Sequence, residues 1–169
     1  MKDFYDLFIR DLKHIYNVEE QIVKALPDLA KAATSEKLKE ALRHHLKETK
    51  EQVKRLEEIS KELNQDLAGY ECEVTHDLLK EAHKITRANY DHFVKDAALI
   101  SAMQRIEHFE IACYGALKAY AKHFKLKKVE ELLEESSKEE GNADKKLIEI
   151  AEGTLFTSGI NTEAHKRCA

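Results

Sequence analysis

Apolar residues recur every three or four positions through four stretches of about thirty residues, and very little interrupts them: 169 residues include five glycines and a single proline. That period marks one buried helical face, and the missing glycine and proline are the punctuation that hairpins and loops require. An all-β or loop-rich fold is excluded. The first stripe (Phe4, Phe8, Leu12, Ile15, Val18, Ile22, Leu26 and Leu29) predicts a helix from Asp3 to Ala33. Pro27 should kink it or end it early, because its ring removes the hydrogen bond to the Val23 carbonyl. Thr34 and Ser35 predict a break and an N-cap.

The second stripe (Leu38, Leu42, Leu46, Val53, Leu56, Ile59, Leu63) fades at Asn64. An aperiodic crossover follows, in which Thr75 is expected to cap a short helix carrying Leu78, Leu79, Ala82 and Ile85. A third long helix spans Asp91 to Phe124, with Gly115 expected at a close packing point. The fourth begins near Lys127 and dissolves at Gly153 and Gly159. Short links within each helix pair and one long connection between them describe an all-α four-helix bundle whose crossover carries a short extra helix. The expected organisation is a bundle domain over 1–153 and a C-terminal tail over 154–169.

Charge narrows the function classes. The chain has 28 basic and 32 acidic side chains, a formal net charge of −4, with both signs interleaved. No basic stripe exists to neutralise a run of phosphates, so nucleic acid is not an expected partner. No window is apolar enough to span a membrane, and Met1 leads directly into Lys2 and Asp3, so a cytoplasmic protein without a membrane partner is expected. Cys72, Cys113 and Cys168 lack zinc spacing and read as reduced thiols, Cys113 as a small buried hydrophobe and the other two as candidates for crosslinking.

The informative positions are those where acidic residues break the apolar stripes, because a carboxylate on a core face is costly unless its charge is compensated. Glu19 lies between Ile15 and Ile22. In the second helix the buried phase passes His45, Glu48 or Thr49, and Gln52. Glu107 and Glu110, three residues apart, lie on the side of Met103 and Tyr114, and their carboxylates can reach one point. In the fourth helix the row through Leu133 and Leu147 brings Glu140 inward, with Asp144 one turn on. Antiparallel pairing brings the middles of the helices together, so Glu19, Glu48, Glu107, Glu110, Glu140 and Asp144 can meet at one level as metal ligands. Two divalent ions would cancel most of their charge, and an oxygen-rich set suits iron first, then manganese, with zinc as a further alternative.

Other side chains near this level have plainer readings. Glu51, Glu57 and Glu58 are assigned to the solvated face. His45 and His108 read as structural histidines, and Tyr16 and Tyr114 as packing residues able to donate a hydrogen bond to a carboxylate. The competing function is a non-enzymatic dimeric helical interaction module without bound metal.

The stretches Leu7–Leu12, Val23–Pro27, His45–Thr49 and, above all, Gln104–Ile111 (QRIEHFEI) resemble the YciF-like proteins of the ferritin-like superfamily. The resemblance covers Phe4 to about Ala151. It implies a ferritin-like bundle, a di-metal site in its middle, a homodimer and a link to bacterial stress responses. A redox or protective role follows as the expected function, with oxidase or peroxidase-like chemistry on an unidentified small molecule as its enzymatic form. The superfamily's pattern has a Glu-x-x-His on each of two helices, from which this chain departs. Glu48 precedes Glu51 and Gln52, and Glu140 precedes Ala143 and Asp144, so Glu110 and Asp144 would supply the missing ligands.

Overall fold

The computed structural model describes residues 2–155 and 157–167. The stripes fold as α1 (Phe4–Ala32), α2 (Glu36–Leu63), α4 (His92–His123) and α5 (Lys127–Glu152), with α3 (Glu73–Arg87) in the crossover. Each stripe becomes the inner face: Leu12, Ile15, Leu26, Leu56, Ile59, Leu99, Leu117 and Leu133 are all essentially inaccessible to water. Pro27 does not end α1. It lies on the exposed side, where solvent can satisfy the Val23 carbonyl, and the helix continues to Ala32.

α1 packs against α2 and α4, and α5 packs against the same two, so the four long helices form a square with α2 and α4 on one diagonal. Directions follow from the ends. Phe4 meets Tyr120 and Phe124 with ring centroids 5.0 and 5.1 Å apart, so α1 runs antiparallel to α4. Lys128 bridges Glu58 and Glu62 at 2.9 and 3.1 Å, so α5 runs antiparallel to α2. α3 lies across α1 and α4, completing a four-helix bundle with a long crossover.

The turn between α1 and α2 is not held as expected. Ser35 occupies the N-cap position of α2, but its side chain makes no capping hydrogen bond. The fully buried carboxylate of Asp96 on α4 does the work from across the bundle. It accepts from the Thr34 amide at 2.8 Å, the Thr34 hydroxyl at 2.8 Å and the Ser35 amide at 2.7 Å. A buried charge is tolerable there because both oxygens are engaged.

Three further expectations, those at Thr75, Cys72 and Gly115, are corrected. Cys72, not Thr75, caps α3: its sulfur accepts from the Thr75 amide at 3.4 Å and lies 2.7 Å from His14 Nε2. That thiol is buried, so the reading of Cys72 as a crosslinking residue falls away. Cys168 lies outside the described residues. Gly115 marks no close packing, since a Cβ added there meets nothing within 4 Å on an exposed part of α4. The segment after α5 is folded: β1 (Gly153–Thr154) pairs antiparallel with β2 (Thr157–Ser158), and α6 (Ile160–Lys166) packs on α4 and α5. Glycine is needed at 153, where φ is +86°, and at 159, because a Cβ at either position would collide with backbone on the opposite side of this turn. Among the described residues no helix is long and apolar enough to cross a membrane.

Candidate metal centre

The buried face of α2 reads Leu38, Leu42, His45, Thr49, Gln52, Leu56, Ile59, an unbroken three-to-four period in which His45 falls squarely inward. Glu107 and Glu110 take the same inward phase on α4, between Met103 and Tyr114, and Glu140 takes it on α5, between Ser136 and Leu147. The helices bring these residues to one level. One ligand atom from each of His45, Glu107, Glu110 and Glu140 lies within 4.8 Å of the other three, and all four residues are buried. His45 Nε2 stands 3.3 Å from Glu107 Oε1 and 3.9 Å from Glu140 Oε2.

Glu19 enters from α1, completely buried, and its Oε1 accepts the Tyr114 hydroxyl at 2.5 Å. Gln52 donates its amide to Glu140 Oε1 and, at 3.1 Å, to Glu139 Oε2, which is itself held by Arg55 Nη1 at 2.6 Å. Asp144, at the margin, accepts from Gln104 Nε2 at 3.2 Å and lies 3.4 Å from His108 Nδ1. Glu48 is also marginal. It is half-buried, with Oε2 3.1 Å from His44 Nδ1 and 3.9 Å from His45 Nδ1, while its neighbour Thr49 takes the fully buried position.

Electrostatically the centre is under-compensated. Burial, followed by the charge of Glu140, pushes the carboxyls of Glu19, Glu107 and Glu110 well above the usual range. Burial and Glu19 do the same to the Tyr114 phenol. Burial also raises Glu48, but His45 and His44 more than reverse it, leaving that carboxyl below its usual value. The inward oxygens lack donors: Glu19 Oε2, Glu107 Oε2, Glu140 Oε2 and both oxygens of Glu110 have no hydrogen-bond partner, and neither has either ring nitrogen of His45. Asp96 shows how this protein accommodates a buried acid when the purpose is structural. Here the acceptors converge on one another instead, in a set of atoms that could hold a cation.

The structure therefore brings Glu19, Glu107, Glu110 and Glu140 together in the interior and leaves Glu48 and Asp144 at its edge. The residue that sequence reasoning undervalued is His45. Its signal was present, because position 45 lies on the buried phase of α2 and position 48 lies about 60° off it. His108 is exposed, its Nδ1 2.9 Å from the Gln104 carbonyl oxygen, and Tyr16 is half-buried near Glu20, away from the cluster. Glu51, Glu57 and Glu58 are solvent-exposed.

Comparison with known proteins agrees with this architecture. Residues 3–164 match the family described as Domain of unknown function (DUF892). Protein YciF of Escherichia coli K12 is 38% identical over 152 residues, covering 89% of this chain and 92% of that protein. The crystal structure of the E. coli stress protein YciF superposes with a TM-score of 0.86 at 37% identity, covering 88% of this chain and 94% of that one. YcfI of Rhodopseudomonas palustris superposes with a TM-score of 0.85 at 37% identity, covering 89% and 96%. A protein of Xanthomonas campestris pv. campestris shares the fold at 20% identity, with a TM-score of 0.69 over 85% and 87% of the two chains. With its helix order, its crossover and its match to YciF along most of both chains, this protein belongs to the DUF892 family and has the ferritin-like four-helix bundle fold.

Proposed function

We propose that the centre binds a pair of divalent metal ions, iron in the first instance, and that the protein serves a redox or stress-protective role in the bacterial cytosol. The carrying observation is the set of inward carboxylate oxygens and imidazole nitrogens that have no hydrogen-bond partner while lying within reach of one another. His45, Glu107, Glu110 and Glu140 would form the nearest shell, Glu19 would approach from α1, and Glu48 and Asp144 would complete the set from the edge. An oxygen-dominated set with one imidazole suits iron or manganese better than zinc. When bound, such ions supply Lewis acidity and one-electron redox capacity.

This chain's own residues then have definable tasks. Tyr114 fixes one oxygen of Glu19, Gln52 fixes one oxygen of Glu140, and the orphaned atoms of Glu110 and His45 are left to the cation. Exclusion of water by Met103, Ile106 and Leu117 strengthens every charge interaction inside. The similarity to a protein described as a stress protein supports the protective role. Homodimerisation belongs to the same reading, supported by exposed Tyr70, Val74 and Tyr90 around α3.

The test is metal analysis of protein prepared without chelator, beside a Glu107→Ala, Glu140→Ala double variant and a His45→Ala variant. The parent should hold close to two equivalents, the double variant almost none and the His45 variant a reduced amount. A folded parent with negligible metal would make the chain a helical interaction module.

A further inference from the structure

A cavity of about 770 Å³ opens between the first half of α2, the second half of α5, the hairpin and α6. That volume lies within the range of about 300–1,000 Å³ typical of small-molecule sites. Its apolar wall is formed by Leu42 from α2, Phe93 from α4, Leu147 and Ile150 from α5 and Ile160 from α6, and charged side chains that include Lys37, Glu40, Lys146 and Glu149 also line it. Its inner end is formed by His45, Glu48 and Glu107, and among the described residues Glu19, Glu110 and Glu140 take no part in the wall. The groove thus reaches the centre from the side of His45 and Glu107. The outer wall is built, since α6 packs on α4 and α5 and the glycines at 153 and 159 turn the chain back over the bundle. Arg167 lies 5.6 Å over the Phe93 ring and fixes that wall further.

We infer that this groove binds a small, largely apolar molecule carrying a hydroxyl head, with the head directed at His45, Glu48 and Glu107. Three features select that chemistry. Leu42, Phe93, Leu147, Ile150 and Ile160 offer apolar contact, the inner end offers Glu107 Oε2 and the ring nitrogens of His45 without hydrogen-bond partners, and an anionic head would have to be desolvated there beside Glu48. A hydroxyl can donate to a carboxylate or imidazole and can also face a cation held behind it. His45 is only 4% exposed, so a macromolecule cannot reach the inner end and a narrow molecule can. The inference rests on the metal-centre reading in one respect, naming the class of molecule that arrives there, and its test keeps the two apart.

The probe is 2-naphthol, titrated into metal-free protein by tryptophan-independent fluorescence and by amide shifts, with 2-naphthoate as the anionic control. Saturable one-to-one binding with a dissociation constant of about 1 mM or below is expected. The largest shifts should fall on Leu42, His45 and Leu147, and 2-naphthoate should bind at least tenfold more weakly. Ala41→Trp on α2 and Ala143→Trp on α5 each put bulk into the groove without touching an acid of the centre, and each should weaken 2-naphthol at least tenfold at unchanged metal content. If one variant does not fold the other decides, and if neither folds the location of the parent's shifts decides. No saturable binding, shifts located elsewhere, or equal binding of naphthol and naphthoate overturns the inference. A parent that takes up metal but not naphthol loses the groove and keeps the centre; one that binds naphthol but no metal does the reverse.

Discussion

Tyr114 on α4 donates its phenolic hydrogen to Glu19 Oε1 on α1 at 2.5 Å, and both side chains are wholly buried. One oxygen of the carboxylate is thereby fixed by protein and the other left free, an asymmetry suited to a ligand that must present one oxygen inward. Tyr114→Phe removes the donor and leaves a second orphaned oxygen. Metal-free protein should lose about 1–3 kcal/mol in urea unfolding. Saturating divalent metal should recover part of that loss, and an unchanged unfolding midpoint would show that the hydrogen bond contributes little.

Glu140 is oriented by a relay: Arg55 grips both oxygens of Glu139 at 2.6 and 2.7 Å, Glu139 receives Gln52, and Gln52 also donates to Glu140. Gln52→Leu keeps approximate volume and removes the donor. By analogy with the partners of metal ligands elsewhere, affinity for divalent metal should fall about 10–100-fold. Competition against a chelator reads this directly, and an affinity equal to that of the parent would remove Gln52 from the site.

Stability of the metal-free protein should fall as pH rises. The carboxyls of Glu19, Glu107 and Glu110 are held above the ordinary value of 4.5, chiefly by burial. Between that value and the raised ones the folded state keeps protons that the unfolded chain has released, so their contribution is complete below the ordinary value and is lost as pH climbs through the raised ones. Calorimetry at about pH 5 and about pH 8 should give the higher melting temperature in acid, with added metal narrowing the gap. The opposite slope would show that these acids are not protonated in the interior.

Asp96 provides the contrasting case. Asp96→Asn disturbs three hydrogen bonds at the α1–α2 turn and should cost about 3 kcal/mol. Metal stoichiometry of the folded protein should be unchanged, because this acid is satisfied entirely by protein donors. Loss of metal in step with stability would place Asp96 in the same network as the centre.

Much of the architecture was already in the spacing of apolar residues. Burial alternates with the helical period, so the stripes locate α1, α2, α4 and α5 to within a residue or two and show that Glu19, Glu107, Glu110 and Glu140 interrupt an inner face. Local sequence carries such information because it concerns one helix at a time. What it does not carry is the rotation and axial offset of each helix against its neighbours. Those quantities put His45 rather than Glu48 within 4.8 Å of the three glutamates, aim Tyr114 at Glu19, and send Asp96 to the α1–α2 turn as its anchor. They also fold the segment after Gly153 against α4 and α5, where its glycines act as a tight return. The sequence alone determined which side chains face inward; tertiary packing decided which of them meet, because convergence depends on the summed contacts of several helices and not on the period of any one.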